Sequence, residues 1–214
     1  MNKITIDRLL PNVFAAQAAT LESDIWLKRV DFNKGETVLV EAASGKGKSS
    51  FAAFVYGYRK DYQGRILFDD KDVKALGKED WATVRKQSIS MMFQELRLFP
   101  ELTAMKNLDI KQQLTNYTET DVERLFALLG ISDQKNRPCG QMSYGQQQRV
   151  AFIRALVQPF DFLIADEPIS HLDDNNAEIM ADIITKHKER TGAGVIVTSI
   201  GKSLPLKYDR ILKL

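Results

Sequence analysis

Four short apolar runs recur along the chain, and each is continuous rather than alternating with polar residues. The runs cover residues 38–40, 89–93, 162–165 and 194–198. Strands that are buried on both faces of a parallel sheet have this pattern, because helices cover both faces of such a sheet. The four runs therefore predict strands of one parallel sheet.

A helix is predicted shortly after the first of these runs. Apolar side chains occur there at the spacing i, i+3, i+4 and i+7, and they are Phe51, Phe54, Val55 and Tyr58. Residues spaced in this way share one face of a helix. A strand, a tight loop and a helix in succession are typical of α/β proteins.

The middle of the chain is different, since residues 95–148 contain no run that predicts a strand. Thr120 and Glu123 match a capping box, which predicts the start of a helix. An apolar stripe at helical spacing accompanies it, made of Val122, Leu125, Phe126 and Leu129. Gly130 is predicted to end this helix. The pattern predicts a helical lobe, at approximately residues 95–150, inserted into the α/β core.

The N-terminal region has a third pattern. The first thirty or so residues and residues 63–70 (QGRILFDD) predict antiparallel strands joined by turns. The predicted fold class is therefore α/β, with a mostly parallel sheet, an N-terminal antiparallel β subdomain and the inserted helical lobe. No repeat or low-complexity linker divides residues 1–214, so a single domain is predicted.

Composition and charge argue against several classes of function. The 214 residues carry a formal net charge of +2, and we expect no nucleic-acid partner. Cys139 is the one cysteine, and the only histidines are His171 and His187, so neither an internal disulfide nor a His/Cys metal cluster is expected. His187 lies in a polar helical stretch, where we expect it to be solvated.

The chain has no pattern typical of secretion or membrane insertion. Its first residues, MNKITIDRLL, do not resemble a signal peptide, and no apolar run approaches the roughly 20 residues that a membrane span needs. We therefore expect a cytoplasmic location, with any role at the membrane exerted through a partner.

Residues 42–50, AASGKGKSS, predict a phosphate-binding loop between a strand and a helix. The pattern G-x-x-x-x-G-K-[ST] fits from Gly47 onward, but its first position is Ala42. Lys48 would neutralise the β- and γ-phosphates of a nucleotide, and the Ser49 hydroxyl would reach Mg²⁺. The alternative is a solvated Gly/Ser/Lys turn without a ligand, and the flanking strand and helix weigh against it.

Two acids end the apolar run at residues 162–165. Asp166 is placed to accept a hydrogen bond from a metal-bound water, and Glu167 is placed to polarise a water that attacks the γ-phosphate. The alternative is a strand end with two solvated carboxylates, which is common in α/β proteins.

Residues 142–156, MSYGQQQRVAFIRAL, resemble the signature motif, usually written LSGGQ, of ATP-binding cassette (ABC) ATPases. The order of motifs is similar to that family: the phosphate loop, Gln94 in MMFQE, residues 143–146, then LIADEP and residues 170–173. The resemblance covers nearly all of the chain and ends with KYDRILKL, which looks like the family's closing strand. It implies the ABC ATPase fold for the single domain of residues 1–214.

The resemblance implies that two cassettes dimerise head to tail and enclose ATP and Mg²⁺ between them. The phosphates would be held by Ser44, Gly45, Lys46, Gly47, Lys48, Ser49 and Ser50. Across the dimer the nucleotide would contact Ser143, Gly145 and Gln146. The metal would be attended by Ser49, Gln94 and Asp166. The catalytic positions would be Glu167, Gln94 and Ser199.

Two further positions follow from the resemblance. Phe14, with Trp26 behind it, is the candidate for stacking on adenine, and packing in the core is the alternative for both residues. His171 would lie in a loop near the dimer contact.

Three residues depart from the family pattern. Ala42 replaces a glycine, which we expect to leave binding intact. Tyr144 replaces the first signature glycine, and it would crowd the partner's nucleotide or require a different backbone angle. Ser199 stands where the family usually has a histidine, so we expect slow hydrolysis in a homodimer. A heterodimer with a complete partner is an alternative, and Lys202 is a candidate substitute for the histidine.

The resemblance is to short cassettes that serve lipoprotein release, macrolide-type export and bacterial cell division. It implies an ATP-hydrolysing subunit that pairs with an integral-membrane permease on the inner face of the cell membrane. A nucleotide-gated signalling module, which transports nothing, is the alternative. A groove for the partner's cytoplasmic helix, or else packing within the lobe, is expected from Leu96, Leu98, Phe99 and Leu102.

Overall fold

The computed structural model describes residues 1–43, 45–112 and 117–214. Strands and helices are interspersed along the chain, with three strands first and three consecutive helices in the middle. In chain order they are β1 (Lys3–Pro11), β2 (Arg29–Asn33), β3 (Thr37–Glu41), α1 (Lys48–Val55), β4 (Tyr62–Phe68), β5 (Lys71–Asp72), α2 (Lys78–Gln87), β6 (Ile89–Met92), α3 (Ala104–Gln112), α4 (Glu119–Leu128), α5 (Tyr144–Leu156), β7 (Phe162–Asp166), α6 (Asp174–Thr191), β8 (Gly194–Ser199) and β9 (Arg210–Lys213).

The four apolar runs form adjacent strands of a five-stranded parallel sheet, with the order β6-β7-β8-β3-β9. This confirms the prediction, and the closing segment adds β9 as the edge strand. The register aligns Asp166 with Thr198, and Ser199 with Glu41. The carboxyl ends of these strands therefore meet at one edge, which is where parallel sheets of α/β proteins bind ligands.

The N-terminal strands form a separate antiparallel sheet with the order β2-β1-β4-β5, as predicted. Its inner face packs on α1 in one apolar cluster, which includes Trp26, Phe32, Phe51 and Phe54. A 3-10 helix at Asn12–Thr20 follows β1 and buries none of its side chains. The sequence gives little sign of this helix because it lacks an amphipathic pattern.

Helices α3, α4 and α5 form a second apolar cluster against the other face of the parallel sheet. Phe126 and Phe152 are fully buried in it beside sheet residues such as Val195. Within the described part of residues 95–148, the only β-type pairing is an isolated bridge between Thr103 and Pro138. The α/β fold is therefore as expected, while the boundaries of the helical lobe as a subdomain stay a prediction.

The start of α4 differs from the expectation. The capping residue is Thr118 rather than Thr120, and its box partner is Asp121, which accepts hydrogen bonds from the Thr118 backbone N–H and hydroxyl. Glu123 instead pairs with Lys135. Gly130, with φ +63°, follows the end of the helix as predicted.

His187 is half-buried rather than fully solvated, contrary to expectation. Its ring stacks on Phe160 with centroids 4.6 Å apart, and its Nδ1 lies 3.2 Å from the Tyr117 hydroxyl. Burial, aided by the nearby Arg190 cation, lowers the pKa of His187 to about 4. The imidazole is therefore a neutral packing group of α6.

None of the helices in the described ranges combines the length and hydropathy needed to cross a bilayer.

Candidate active site

The loop between β3 and α1 rests on two aromatic side chains. A Cβ atom at Gly47 would lie 3.0 Å from a Phe14 ring carbon and 3.1 Å from a Trp26 ring carbon, and Gly47 has φ +98°. The Trp26 indole N–H donates to the Lys46 carbonyl, 3.3 Å away. Only glycine satisfies both the space and the backbone angle at Gly47. Ser44, a predicted phosphate contact, lies outside the described residues.

Lys48 is the first residue of α1, and its side chain is only 4% exposed. Its ammonium group donates to the carbonyl oxygens of Ala42 (2.9 Å) and Ala43 (3.0 Å) and lies 3.9 Å from a Glu167 carboxylate oxygen. Burial lowers the pKa of Lys48, while the carboxylates of Glu167 and Asp166 oppose the shift. The loop thus contains a buried cation beside the free N–H groups that begin a helix.

Gln94 links the loop to the acidic end of β7. The Ser49 hydroxyl donates to Gln94 Oε1 at 3.2 Å, and Gln94 Nε2 donates to Glu167 Oε2 at 3.3 Å. The three side chains come from α1, from the segment after β6 and from the residue after β7. The structure therefore brings these sequence-predicted residues into one hydrogen-bonded chain.

The two acids occupy different surroundings. Asp166 is 3% exposed and accepts a hydrogen bond from the Thr198 hydroxyl, while burial raises its pKa. Burial also raises the pKa of Glu167, Lys48 opposes the shift and Asp166 adds to it. Glu167 adopts φ +48°, an uncommon angle for a residue with a side chain. Asp166 is therefore a buried carboxylate held in place by Thr198, and Glu167 is a less buried carboxylate beside Lys48.

A cavity of about 320 Å³ opens over these groups. Its lining consists of Val13, Phe14, Gly45, Gly47, Lys48, Ser49, Ser50, Gln94, Glu167 and Ile200. Phe14 is half-buried at its wall, as a stacking platform would be. Trp26 is 1% exposed beneath the loop, so it offers no free face to a ligand. It is a core residue, which was the alternative expected from the sequence.

The signature residues lie apart from this cavity's lining. Ser143 is the exposed N-cap of α5, and its hydroxyl accepts from the Gln146 N–H. A Cβ at Gly145 would lie 3.4 Å from the His171 carbonyl oxygen. Tyr144 is an ordinary first helical residue, so the expected backbone change is wrong. The Tyr144 side chain instead contacts the Gln94 carbonyl of the same chain.

Ser199 does not present its hydroxyl to the phosphate loop, which corrects its predicted catalytic contact. The side chain is 1% exposed, and its hydroxyl donates to the Lys202 carbonyl across a turn that contains Gly201 at φ +78°. The Lys202 ammonium pairs with Asp174 at 2.6 Å. Both groups therefore have partners within the chain, and a role for Lys202 in place of the histidine stays a prediction.

The segment after Gln94 divides between the two expected roles. Leu96 is 3% exposed and packs in the helical cluster, and Leu98 packs against it. Phe99 is 47% exposed and is free to meet a partner. Leu102 is half-buried.

Sequence patterns missed an aromatic group beside the loop. The Arg97 guanidinium lies over the rings of Phe93 (4.3 Å) and Tyr58 (4.7 Å). All three border a second cavity of about 440 Å³, next to Ser49 and Asp166. Nothing in the spacing of these residues signals the stack, since it depends on how the segments that follow α1 and β6 meet in the folded chain.

The chain is similar to known proteins in sequence and in fold. Residues 28–170 match the family described as ABC transporter. Phosphonates import ATP-binding protein PhnC 2 of Oceanobacillus iheyensis is 32% identical, over 88% of this chain and 80% of that protein. Lipoprotein-releasing system ATP-binding protein LolD of Syntrophotalea carbinolica is 29% identical, over 87% of this chain and 85% of that protein.

Solved structures of ABC cassettes are similar to this chain in fold. The dimeric structure of MJ0796, a bacterial ABC transporter cassette, has a TM-score of 0.71 and 27% identity, over 80% of this chain and 77% of that one. Its post-hydrolysis dimer bound to ADP and phosphate has a TM-score of 0.69 and 26% identity, with the same coverage. The phosphate loop, the acid pair and this family match together identify the chain as a member of the ABC transporter family, an ATP-binding and ATP-hydrolysing subunit.

Proposed function

We propose that Mg-ATP binds in the cavity over the phosphate loop and is hydrolysed there with Glu167 as the general base. The observation that carries this proposal is the hydrogen-bonded chain from Ser49 through Gln94 to Glu167, beside the buried Lys48. The phosphates would be held by Gly45, Lys46, Gly47, Lys48, Ser49 and Ser50, with Ser44 completing the loop. Phe14 would stack on the adenine.

The residues present fit a magnesium ion. The Ser49 hydroxyl, the Gln94 amide oxygen and the Asp166 carboxylate are all hard oxygen donors, and Asp166 is held by Thr198. Within the described ranges no cluster of three His, Cys, Asp or Glu side chains is suited to a metal. When bound, Mg²⁺ neutralises charge on the phosphates.

The protein groups divide the remaining work. Lys48 offsets phosphate charge with an ammonium that already points into the loop. Glu167 accepts the proton of the attacking water, and its raised pKa brings it closer to the working pH of a base. Gln94 holds the Glu167 carboxylate and so fixes the direction of that proton transfer.

A second ABC subunit completes the site in this proposal. Ser143 is exposed, and Gly145 and Gln146 lie beside it at the start of α5, outside the lining of the chain's own cavity. Those positions suit a head-to-tail pair in which they contact the partner's nucleotide. The similarity to a cassette that forms dimers supports this arrangement.

The membrane partner is proposed to be an integral permease of the export or lipoprotein-extraction type, which would hold the chain at the cytoplasmic face of the membrane. Similarity to LolD over 85% of that protein supports this direction. Similarity to PhnC 2 favours import as the second candidate. We propose no nucleic-acid partner, in keeping with the small net charge.

Glu167→Gln tests the site and the dimer together. The substitution keeps the shape of the side chain and removes its basicity, so Mg-ATP should bind without being hydrolysed. Light scattering should then show an ATP-dependent dimer that the unmodified chain forms only transiently. The exposed Glu101→Gln is the matched control. Failure of Glu167→Gln to abolish turnover contradicts the proposed base, and an ATP-loaded monomer contradicts the proposed dimer.

Purification from membranes tests the transport proposal. A permease with a large extracytoplasmic domain should accompany the chain. Recovery of an import permease with a solute-binding protein would replace export by import. Recovery of a partner tied to a cell-wall hydrolase would support signalling instead.

A further inference from the structure

Tyr144 joins the start of α5 to the segment that carries Gln94. Its hydroxyl donates to the Gln94 backbone carbonyl at 3.0 Å. Its ring packs against His171 with centroids 4.4 Å apart and an interplanar angle of 62°. A glycine at this position would have neither contact. The tyrosine therefore adds a tie, within one chain, between the signature motif and the glutamine segment.

The segment that receives this hydrogen bond has an unusual backbone. Leu96 and Arg97 are consecutive and have φ +59° and +51°. Non-glycine residues hold such angles only where surrounding contacts impose them. Farther along α5, Arg154 donates to the carbonyls of Leu96 (2.6 Å) and Arg97 (2.7 Å). Two side chains of α5 therefore hold this segment: Arg154 at the carbonyls of Leu96 and Arg97, and Tyr144 at the carbonyl of Gln94.

The Gln94 side chain has its own two contacts, to Ser49 and Glu167, at 3.2 and 3.3 Å. Both distances are long for hydrogen bonds, so these two contacts alone hold the glutamine side chain weakly. A hydroxyl that fixes the Gln94 carbonyl limits rotation of the adjoining peptide. The Tyr144 hydroxyl is therefore placed to determine the position of the Gln94 side-chain amide between Ser49 and Glu167.

We propose that Tyr144 is a positioning residue for the ATPase reaction, acting through the Gln94 backbone to hold the Gln94 side chain between Ser49 and Glu167. This inference rests on the proposed role of Gln94 in the site. It differs from the crowding expected from the sequence, because the side chain reaches a group of its own chain.

Tyr144→Phe tests the tie directly, since it removes the hydroxyl and keeps the ring that contacts His171. Hydrogen–deuterium exchange should become about 2- to 10-fold faster at the Leu96 and Arg97 amides, the range expected for one neutral hydrogen bond. Tyr208→Phe is the matched control, because the Tyr208 hydroxyl also donates to a backbone carbonyl, that of Leu204, at 2.8 Å. Unchanged exchange in Tyr144→Phe, or equal changes at these amides in both variants, overturns the proposal.

A double-mutant cycle tests the consequence for catalysis. Tyr144→Phe should lower kcat for Mg-ATP by about 2- to 10-fold with little change in KM. In a Gln94→Ala background the same substitution should have no further effect on kcat, because the side chain that it positions is gone. Additive losses would show that Tyr144 does not act through Gln94 and would overturn the inference.

The exchange experiment needs no nucleotide, so it separates this inference from the proposed function. Altered exchange at the two amides, together with Glu167→Gln retaining full turnover, would support the tie while contradicting the proposed base. Unaltered exchange together with loss of turnover in Glu167→Gln would overturn the tie and leave the proposed site intact.

Discussion

The ammonium nitrogen of Lys48 lies 2.9 Å from the carbonyl oxygen of Ala42, the residue that replaces the first glycine of the phosphate-loop pattern. The contact uses the backbone of Ala42, whose φ is not in the left-handed region. Its methyl group packs against the apolar cluster beneath the loop. This position therefore has no need of a glycine, and alanine leaves the lysine contact intact.

Lys48→Ala should weaken Mg-ATP binding by about 10- to 100-fold, since a hydrogen bond to a charged group contributes about 1.5–3 kcal/mol. Titration calorimetry measures the loss. The exposed Lys60→Ala, in the turn after α1, removes the same charge away from the loop and should bind as the unmodified chain does. Equal binding by all three proteins would contradict the proposed contact between Lys48 and the nucleotide.

Gly47→Ala should perturb the loop more than Gly45→Ala. Both positions have left-handed φ, +98° and +79°, so both substitutions incur strain of about 1–2 kcal/mol. Only the Gly47 methyl meets the rings of Phe14 and Trp26, whereas a Cβ at Gly45 meets nothing within 4 Å. In a Trp81→Phe background, the emission of Trp26 should shift for Gly47→Ala and stay constant for Gly45→Ala. A shift of equal size in both variants would contradict the contact.

Sequence patterns predict the parts of the site that depend on local spacing. The continuous apolar runs define the strands, and the strand ends then bring Lys48, Gln94, Asp166 and Glu167 to one edge. The capping residue of α4 could not be chosen, because Thr118 with Asp121 and Thr120 with Glu123 have the same spacing. Glu123 pairs with Lys135, which is 12 positions away, so the local sequence does not show that Glu123 has a partner outside the capping box.

Contacts between distant segments were beyond prediction. Phe160 and His187 are 27 positions apart in sequence, yet their rings stack, and Tyr144 reaches Gln94 across 50 positions. A serine hydroxyl can bond to many groups, and the sequence does not show which. In the folded chain the turn after β8 brings the Lys202 carbonyl to the Ser199 hydroxyl. The family resemblance therefore implied a catalytic role for Ser199 that the orientation of its hydroxyl does not support.

Ser199→His should raise kcat for Mg-ATP, because an imidazole is too large for the space that the buried serine hydroxyl occupies beside Lys202 and should extend from the end of β8 toward the phosphate loop. Interactions of this kind with developing charge contribute about 10²–10³ in rate, and we expect at least a 10-fold gain. Ser199→Ala is the control, since it removes the bond to Lys202 and adds no donor. Turnover is measured by phosphate release. Family-typical turnover of the unmodified chain, with a loss in Ser199→His, would contradict slow hydrolysis.

His187 should make stability fall in acid. Its pKa in the folded protein is about 4, below the ordinary 6.5, so the unfolded chain binds the proton first as pH falls. The contribution is complete above about pH 6.5 and is lost as pH falls through about 4. Roughly 1–3 kcal/mol of unfolding free energy should disappear over this range, the lower value allowing for solvent at the half-buried ring.

His187→Gln removes this titration while keeping polar atoms near Tyr117 and Arg190. Urea unfolding between pH 7.5 and 4.5 should therefore give a shallower loss of stability for this variant than for the unmodified chain. The exposed His171→Gln is the matched control, because the ring of His171 touches Tyr144 at the surface rather than a buried partner. Its pH profile should follow that of the unmodified chain. If His187→Gln also follows that profile, the stacked imidazole gains its proton as readily in the folded state as in the unfolded one, and the burial of its ring on Phe160 does not govern acid stability.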